Sequence, residues 1–556
     1  MDASAKEQLA SPEKGLETPQ EKDLELRDDT SAELSKDSPA ETIEEDEEHF
    51  MSGAKLYLLI LGLGLACFLM ALDMAIITVA IPEITEKFHS TADIGWYVSA
   101  YLLTLCSLQP LSGKLYSNFS LKWTFMAFLL LFEIGSAISG AATSSTMLIV
   151  GRAIAGMGAA GLMSGTLSIL AVAVNVRLRA MYTGIIMSMF GLAVVVGPLI
   201  GGAFTQHVSW RWVFYVNLPI GAATACVLVL FFNPPTRKAE LNPIKDRIAR
   251  LDLIGAALFI PAVIMLLMAL QWGGLTYPWN SGRIIGLLVG GALLVVVFGA
   301  WQWHKGKEAM IPPPVFLQRS VFWSCLCAMC SMGTMVMLGT WMPEWFQAIK
   351  GVSPMQSGVN LLPAMIAQVI ASVTAGALIT MLGYYNPFII IGTILLAIGA
   401  GLFTTFTIDT GSPYWIGYQV IFGLGSGFFV TSPLVAIQAV LSATDTPVGI
   451  AIVTFFQMFG SAFFVALSQT IFNEQLLKQL AKNAPDANVG ALLAAGTARL
   501  HLAVTPEQLH GVLLSYNRAL LDPFYLGAAI SALATFLALG IEWVNVKGKE
   551  LSPGAA

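Results

Sequence analysis

The sequence is poor in charged residues. Only 12% of its 556 residues are Asp, Glu, Lys or Arg, whereas 56% are hydrophobic and the mean hydropathy is +0.71. Because a soluble globular domain carries about 25% charged residues, this composition excludes that class and indicates a membrane protein with many spans. The charge is also uneven, since residues 1–50 hold about 17 of the 35 acidic residues and about 5 of the 29 basic ones.

The acidic segment at the beginning of the chain has few groups that can form a core. It is rich in Glu, Asp, Ser and Pro and has almost no aromatic residues, so we expect it to be disordered. Its first residues, MDASAKEQLASPEKGLE, lack the basic and then apolar pattern of a secretory signal peptide. The first apolar segment, from Leu56, is therefore expected to direct membrane insertion.

The sequence also lacks the groups that several enzyme and metal-binding classes require. All six cysteines lie inside apolar runs, and Cys325, Cys327 and Cys330 are interpreted as packing residues of a membrane helix. The six histidines are scattered, and the chain contains no GKS or GKT sequence of a nucleotide-binding loop. We therefore expect no enzyme activity, no cofactor, no metal and no direct use of ATP.

Apolar runs long enough to cross a bilayer recur along the chain. A helix needs about 20 apolar residues to cross a hydrocarbon core, and roughly fourteen such runs occur, the first near Leu56 and the last near Pro523. An even number of spans places both termini on one side of the membrane. The loops on that side carry most of the Lys and Arg residues, so both termini are expected to be cytoplasmic.

One glycine-rich stretch, RAIAGMGAAG from Arg152 to Gly161, contains the pattern GxGxxG. A dinucleotide site would require this pattern after a β-strand, whereas here it lies inside a predicted membrane helix. Small residues at this spacing allow two membrane helices to approach closely. The stretch therefore predicts helix packing.

A second stretch, GLAVVVGPLIGG, combines a proline with several glycines. Pro198 removes a backbone hydrogen-bond donor, and the glycines remove side-chain bulk. These glycines are Gly191, Gly197, Gly201 and Gly202. Tight helix packing is one explanation for them, but the full pattern resembles the GPxxGG signature of span 5 in proton-driven exporters of the major facilitator superfamily.

The resemblance extends to other motifs of the fourteen-span drug:proton antiporter family in that superfamily. LDMAIITVAIP, WYVSAYLLT and GRAIAGMGAAG are similar to its motifs in spans 1, 2 and 4, and WRWVFYVNLPIG and LDLIGAALF to the beginnings of spans 6 and 7. The acidic tail and GKLYSNFSLKWTF look most like fungal toxin and multidrug exporters. Ser117, however, stands where the family usually has Asp in the loop after span 2, so a charge-based gate is not expected there.

The resemblance implies an all-α membrane protein with the major facilitator fold, in which fourteen transmembrane helices form two six-helix domains with two inserted helices. The expected boundaries are an acidic cytoplasmic tail over 1–50, the N-terminal domain over 51–235, a linker with helices 7 and 8 over 236–319, and the C-terminal domain over 320–545. A large external loop is expected over 473–522, with a short surface helix beginning after Thr505, and a cytoplasmic tail over 546–556.

Three charged residues, Asp73, Glu133 and Arg152, lie well inside the predicted spans. A charge at the bilayer centre costs about 2.5–3.5 kcal/mol on insertion scales, so all three are candidates for proton coupling. Spans 1 and 4 border the central cavity in this superfamily, so Asp73 and Arg152 can face each other. We hypothesise that Arg152 stabilises ionised Asp73 in one state and that separation of the pair lets the carboxylate take a proton.

Structural explanations for these charges remain open. The pair can be a permanent lock between two helices, or Asp73 can lie close to the outer membrane interface. Glu133 can relay protons, or it can be an acid that is hydrogen-bonded to neighbouring helices.

The C-terminal half has polar and aromatic residues within its spans in place of charges. The candidates for a substrate cavity are Trp341, Gln368, Gln438, Phe456 and Gln457. Packing alone would explain most of the aromatic residues. In the functional interpretation, they form an apolar cavity wall with Gln side chains as neutral hydrogen-bond partners for an amphipathic solute.

These features together predict a proton-coupled efflux transporter, an antiporter, that exports small amphipathic organic compounds such as drugs or fungal secondary metabolites and toxins. Proton-coupled uptake of a siderophore or nutrient is the alternative. The expected partners are the organic substrate, protons and the lipid bilayer, without nucleic acid, and the protein is expected to be monomeric. We expect it in the plasma membrane, with the vacuolar or a vesicle membrane as the alternative.

Overall fold

The computed structural model describes residues 51–89, 93–234, 242–274, 276–485, 492, 500 and 504–546. The tail predicted over 1–50 and nearly all of that predicted over 546–556 lie outside these residues. Within them the chain is helical, and β-structure is limited to one isolated bridge between Gly273 and Tyr277. The expectation of an all-α protein is therefore confirmed for the described part of the chain.

Fourteen helices of fifteen or more residues occur in the described residues, and they are numbered here in chain order. They are α1 (Gly53–Phe88), α2 (Ile94–Asn118), α3 (Leu121–Gly140), α4 (Ser145–Ala173), α5 (Val176–His207), α6 (Asn217–Phe231), α7 (Leu253–Trp272), α8 (Gly282–Lys305), α9 (Arg319–Lys350), α10 (Leu362–Leu382), α11 (Asn386–Phe403), α12 (Ser412–Val440), α13 (Thr446–Asn483) and α14 (Pro506–Ala538). Shorter helices, including Trp212–Tyr215 and Pro354–Asn360, precede α6 and α10.

Local sequence accounts for several helix ends. The side chains of Ser144, Asp252 and Ser281 accept hydrogen bonds from backbone N–H groups in the first turns of α4, α7 and α8. Helices α9 and α10 end at Gly351 and Gly383, whose φ angles of 63° and 84° lie in the left-handed region that glycine adopts without steric cost.

Thirteen helical segments in the described residues are long and apolar enough to cross a membrane, whereas we expected fourteen. The long helix outside this set is α2, which carries more polar side chains. Ser112 shares a 2.7 Å hydrogen bond with Ser164 of α4, and the Thr104 hydroxyl donates to the carbonyl of Ala153 at 2.8 Å. Because α2 satisfies these groups against α4, it does not need the uniformly apolar surface of a lipid-facing helix.

The long helices pack as two groups. In the first group, α1–α6, helix α4 packs against α2 and α3, and α1 packs against α5; in the second group, α9–α14, helix α12 packs against α10 and α11, and α9 packs against α13. The two groups meet along α5 and α10 and along α2 and α13. Helix α7 lies against α2 and α13, and α8 packs against α7.

The glycines of the GxGxxG pattern lie where α4 approaches its neighbours most closely. A Cβ atom at Gly156 would overlap Thr104 on α2, and Cβ atoms at Gly158 and Gly161 would overlap Phe132 and Phe128 on α3. Side-chain bulk at these positions would force the helices apart. The pattern therefore serves helix packing in this chain, as predicted.

The two helix groups touch at the end of the bundle where α2 ends and α13 begins. The Ser117 hydroxyl donates to the carbonyl of Thr444 at 3.0 Å, and Gly113 packs against Ala451. The Lys114 ammonium group donates to the carbonyl of Lys307, after α8, at 3.5 Å. Ser117 thus makes a neutral contact with a backbone carbonyl, in agreement with the absence of an acid at this position of the motif. We call this region the closed end.

The segment 473–522 differs from the external loop that we expected. Helix α13 continues to Asn483, and α14 begins directly after Thr505 and runs without interruption to Ala538. The expected short surface helix is therefore the first part of α14, and the Thr505 side chain makes no capping hydrogen bond. The Ser515 hydroxyl donates to the carbonyl of Gln479 at 3.0 Å, so a polar contact also joins α13 and α14 within this segment.

We expect Gly113→Val to separate α2 from α13 at the closed end. A Cβ atom at Gly113 would lie 2.7 Å from Ala451 Cβ and 2.9 Å from Val448 Cα, so a valine side chain does not fit unless the helices move. Oxidative cross-linking between cysteines introduced by Ser117→Cys and Thr444→Cys measures this contact and should fall several-fold. The matched control is Gly286→Val on α8, where an added Cβ meets nothing within 4 Å. Equal cross-linking in both variants would contradict this packing.

Candidate functional site

Asp73 and Arg152 form a buried ion pair inside the first helix group. Asp73 Oδ2 lies 2.5 Å from Arg152 Nη1, and the exposed fractions of the two side chains are 0% and 1%. Arg152 Nε also donates to the carbonyl of Tyr97 at 3.0 Å, and the guanidinium carbon lies 4.5 Å from the ring centroid of Tyr101. The two residues that were expected to face each other are therefore in direct contact, held between α1, α2 and α4.

Asn217 supplies a further partner to the carboxylate from the beginning of α6. Its side-chain Nδ2 donates to Asp73 Oδ1 at 3.1 Å and to the Ser136 hydroxyl oxygen on α3 at 3.2 Å. Asn217 is fully buried, and its side-chain oxygen has no hydrogen-bond partner among the described residues. Five helices, α1, α2, α3, α4 and α6, therefore converge on one buried polar cluster.

Helix α1 stands between this cluster and a central cavity. Ala71, Met74 and Ala75 line the cavity, whereas Asp73 contacts α4 and α6 on the other side of the helix. Successive residues of a helix point about 100° apart, so a single turn of α1 presents the acid to one side and small or flexible apolar residues to the other. The ion pair does not line the cavity itself.

The cavity lies between the two helix groups and has a volume of about 570 Å³. Helices of both groups and the end of α7 contribute to its wall, and none of the lining residues in the described part of the chain is charged. Methionine and glutamine side chains are prominent in the wall. They are Met74, Met332, Met335, Met342, Met365 and Met458, together with Gln271, Gln368, Gln419 and Gln469.

The glycines of the GPxxGG motif bring α5 against the part of α1 that carries Asp73. A Cβ atom at Gly197 would lie 2.8 Å from Ala75 Cβ, and one at Gly201 would lie 2.9 Å from the carbonyl oxygen of Ile76. Pro198 lies inside α5 between these contacts. Two further glycines of the stretch differ, since Gly191 lines the cavity and Gly202 has space for a Cβ atom, 3.9 Å from Val79.

Glu133 lies on α3 beside the polar cluster without a hydrogen bond. Its carboxyl group packs against Gly221 of α6, and neither of its oxygens has a partner among the described residues. Glu133 is one helical turn before Ser136, and Gly221 is one turn after Asn217. The alternative of a hydrogen-bonded structural acid thus finds no support in the described residues, and because a buried carboxylate without partners is costly, Glu133 stays a candidate for proton relay.

Of the five cavity candidates in the second helix group, Gln368 lines the cavity and the other four do not. Trp341 Nε1 donates to Ser468 at 2.8 Å, and its ring packs on Phe472. Phe456 stacks on Phe316, with the ring centroids 5.9 Å apart. Both aromatic residues therefore serve helix packing, which was the alternative that the sequence left open.

Gln438 and Gln457 are buried between helices. Gln438 lines a small separate pocket at the closed end, together with Arg179, and Gln457 is 3% exposed beside the cavity-lining Met458. A residue next to a wall residue points about 100° away from it. Their expected position in the cavity wall was wrong because helices that are buried on all sides give no periodic signal of which face meets the cavity.

The sequence interpretation missed several members of the polar cluster. Asn217 lies in the quoted motif WRWVFYVNLPIG but carries no charge, and Ser136 and Tyr101 are common residues in membrane helices. The available signal was an amide that opens an otherwise apolar helix. A prediction that Asn217 contacts Asp73 requires knowledge of which helices are neighbours, and neither composition nor spacing gives that knowledge.

The architecture is that of a multi-span helical membrane protein with two helix groups around a central cavity. A family model described as Major Facilitator Superfamily matches residues 63–465. The chain is 44% identical over 517 residues to the MFS-type efflux pump MFS1 of Trichophyton rubrum, with 92% of this chain and 96% of that protein covered. The chain therefore belongs to the Major Facilitator Superfamily.

Two further relatives match over almost the same length. The MFS-type transporter astH of Aspergillus oryzae is 44% identical over 508 residues, covering 91% of this chain and 90% of that protein. The efflux pump roqT of Penicillium rubens is 44% identical over 489 residues, covering 88% and 91%.

Solved structures show the same fold at low sequence identity. The proton:xylose symporter XylE matches with a TM-score of 0.57 and 14% identity, over 88% of this chain and 97% of that chain. The human organic anion transporter MFSD10 matches with a TM-score of 0.55 and 12% identity, over 86% and 100%. The expected major facilitator fold is thereby confirmed, whereas the fourteen-span antiporter family within the superfamily stays a prediction.

We expect Arg152→Ala to destabilise the protein by about 3–5 kcal/mol, because the substitution leaves Asp73 buried without its charged partner. The measurement is the thermal unfolding midpoint of the purified protein in detergent. Arg283→Ala is the matched control, because Arg283 is exposed and donates to the Tyr277 hydroxyl. An unchanged midpoint for Arg152→Ala, or an equal loss in the control, would contradict a stabilising role of the pair.

Proposed function

We propose that this protein is a proton-coupled efflux transporter that exports small amphipathic organic compounds, such as drugs or fungal secondary metabolites, in exchange for protons. One observation carries the proposal: the buried Asp73–Arg152 pair lies directly behind the α1 wall of a large uncharged cavity. The names of the relatives, among them two efflux pumps, support export as the direction of transport.

The cavity supports an uncharged, amphipathic substrate. Its volume of about 570 Å³ lies within the range of about 300–1,000 Å³ that is usual for small-molecule sites. The methionine side chains are flexible and polarizable, so they adapt to apolar and aromatic surfaces of different shape. The glutamine side chains offer both donors and acceptors, while a charged substrate would find no counter-ion among the described residues of the wall.

The ion pair supports proton coupling through α1. Protonation of Asp73 removes its charge and leaves Arg152 buried without an anionic partner, which is unfavourable. Because Ala71, Met74 and Ala75 belong to the same helix, a movement of α1 that relieves this cost also changes the cavity wall. A membrane potential of 100 mV supplies about 2.3 kcal/mol for each charge that crosses, so one proton can drive a useful gradient of a neutral compound.

The glycine motif of α5 supports a mechanism in which movement of α1 is transmitted to the second helix group. Gly197 and Gly201 place α5 in backbone contact with Ala75 and Ile76, and α5 in turn packs against α10 of the second helix group. At that contact the Ser372 hydroxyl donates to the carbonyl of Gly184 at 3.3 Å. A displacement of α1 therefore reaches the boundary between the two helix groups through one intermediate helix.

The proposal includes an orientation and a location. With both termini in the cytoplasm, the closed end of α2 and α13 faces the cytoplasm and the cavity lies in the outer half of the membrane. In this arrangement fourteen helices cross the membrane as two six-helix domains joined by α7 and α8. We propose the plasma membrane as the location. We also propose a monomer, because helices of one chain are sufficient to form the cavity wall.

We expect Asp73→Asn to abolish export that is driven by a pH gradient, because the amide cannot take up a proton. Inside-out vesicles from a pump-deficient host are given an acidic lumen and N-phenyl-1-naphthylamine, an uncharged aromatic amine, as the fluorescent probe. Vesicles with the wild-type protein should accumulate the probe several-fold over vesicles with Asp73→Asn.

The matched control for this experiment is Asp246→Asn, which replaces an exposed acid on the short helix Ile244–Ala249. It should accumulate the probe like the wild type. Probe movement in the same direction as the protons would overturn export and indicate proton-coupled uptake. A toxicity screen in the same host then identifies natural substrates.

We expect Gly339→Trp to weaken binding of the same probe about tenfold, which corresponds to about 1.4 kcal/mol. Gly339 lines the cavity, and an added Cβ meets nothing within 4 Å, so the indole ring can extend into the cavity without displacing the backbone. Fluorescence titration of the purified protein measures the effect. Gly299→Trp on α8 is the matched control, with equal space and no part in the cavity; equal affinities would show that the probe binds elsewhere.

A further inference from the structure

We propose that the side-chain amide of Asn217 is a positioning group that holds Asp73 in both its ionised and its protonated form. In the structure the amide nitrogen donates to Asp73 Oδ1, an arrangement that suits the ionised carboxylate. After Asp73 takes a proton, the amide turns by about half a rotation, and its oxygen accepts a hydrogen bond from the new O–H group. This inference rests on the proposed proton coupling and adds the residue that makes both states of the acid stable.

The hydrogen bonds of Asn217 are arranged in a way that permits this exchange. Both hydrogens of Nδ2 are used, one by Asp73 Oδ1 at 3.1 Å and one by the Ser136 oxygen at 3.2 Å. An amide oxygen can likewise accept two hydrogen bonds, and a protonated Asp73 and the Ser136 hydroxyl can both donate. The turned amide therefore replaces two donated bonds with two accepted bonds to the same neighbours.

The oxygen of Asn217 does not oppose the turn. It has no hydrogen-bond partner among the described residues, so its departure from the present position breaks no bond at that end of the amide. The side chain is fully buried at the beginning of α6, and rotation about the last side-chain bond exchanges two atoms of similar size. The movement therefore needs little additional space.

Other groups around Asp73 are poorly suited to accept a hydrogen bond from its protonated carboxyl group. Arg152 on α4 has only donors, and the carbonyl of Tyr97 on α2 is hydrogen-bonded to Arg152 Nε in the structure. The Tyr101 hydroxyl on α2 and the carboxyl of Glu133 on α3 also lie near Asp73, but neither is hydrogen-bonded to it.

At its contact with α1, helix α5 presents the glycines Gly197 and Gly201, which have no side-chain acceptor. Asn217 is the neighbour that already contacts Asp73 Oδ1.

The step balances in atoms and charge. One hydronium ion of the aqueous phase gives its proton to Asp73 Oδ1 and becomes water; an O–H bond forms on the carboxylate, which loses its negative charge. Arg152 keeps its proton, so the pair changes from neutral to a net charge of +1. Release of the proton reverses the step, and the amide turns back to donate to the carboxylate. Asn217 itself gains and loses no proton.

Infrared difference spectroscopy of the purified full-length protein tests this inference without a substrate. The spectrum is recorded while the pH of the buffer is changed, and subtraction of the Asp73→Asn spectrum isolates the C=O band of protonated Asp73. We expect Asn217→Leu, which is close in size but has no polar group, to move this band to higher frequency because the acid loses its acceptor. Accumulation of N-phenyl-1-naphthylamine in vesicles should fall about tenfold in the same variant.

Two further variants make the result specific. Thr224→Val removes a buried hydroxyl two turns further along α6 that donates to Ile220 within the helix, and it should leave both the band and the accumulation unchanged. Asn217→Thr keeps a group that can donate and accept, and it should retain the lower band frequency and most of the transport. It also covers the case that Asn217→Leu does not fold, which size-exclusion chromatography would show.

The outcomes separate this inference from the proposed function. A band that stays in place in Asn217→Leu, or that moves equally in Asn217→Leu and Asn217→Thr, overturns the role of the amide and leaves proton coupling intact. The absence of any Asp73-dependent band in the wild type overturns proton coupling at Asp73 itself.

Discussion

The pairing of Asp73 with Arg152 constrains how the helices of the first group pack around α1. Two charges that leave water lose several kcal/mol of solvation each, and their attraction compensates only if the remaining donors and acceptors are also satisfied. Helix α2 supplies the carbonyl of Tyr97 to Arg152, and α6 supplies the amide of Asn217 to Asp73. The positions of α2, α4 and α6 around α1 are therefore tied to one buried pair.

This arrangement divides chemistry between two faces of α1. The acid faces the polar cluster of its own helix group, and Met74 and Ala75 face the cavity that both groups share. Under the proposed function, a substrate in the cavity would not touch Asp73, the group proposed to bind the proton. Coupling would then run through the position of α1 and its glycine contacts with α5, so that chemically different compounds could use one proton site without competing for it.

Sequence reasoning succeeded where burial or close approach leaves a mark in composition. The scarcity of charge identified a membrane protein, three intramembrane charges included both members of the ion pair, and the glycines of α4 marked close helix contacts. It was wrong where partners lie on other helices. Gln438 and Trp341 were expected in the cavity wall, yet they lie at the closed end and in an aromatic cluster.

The sequence by itself determined the class of protein, its succession of membrane helices and the identity of the charges that must find partners inside the membrane. The tertiary structure decided which face of each helix meets the cavity, that Asn217 completes the site of Asp73, and that α13 and α14 extend into the two ends of the segment predicted as a loop. The physical reason is that hydropathy records transfer from water into an apolar surrounding, and protein interior and lipid are almost equally apolar. Which face of a helix contacts lipid, protein or cavity therefore depends on packing between distant segments.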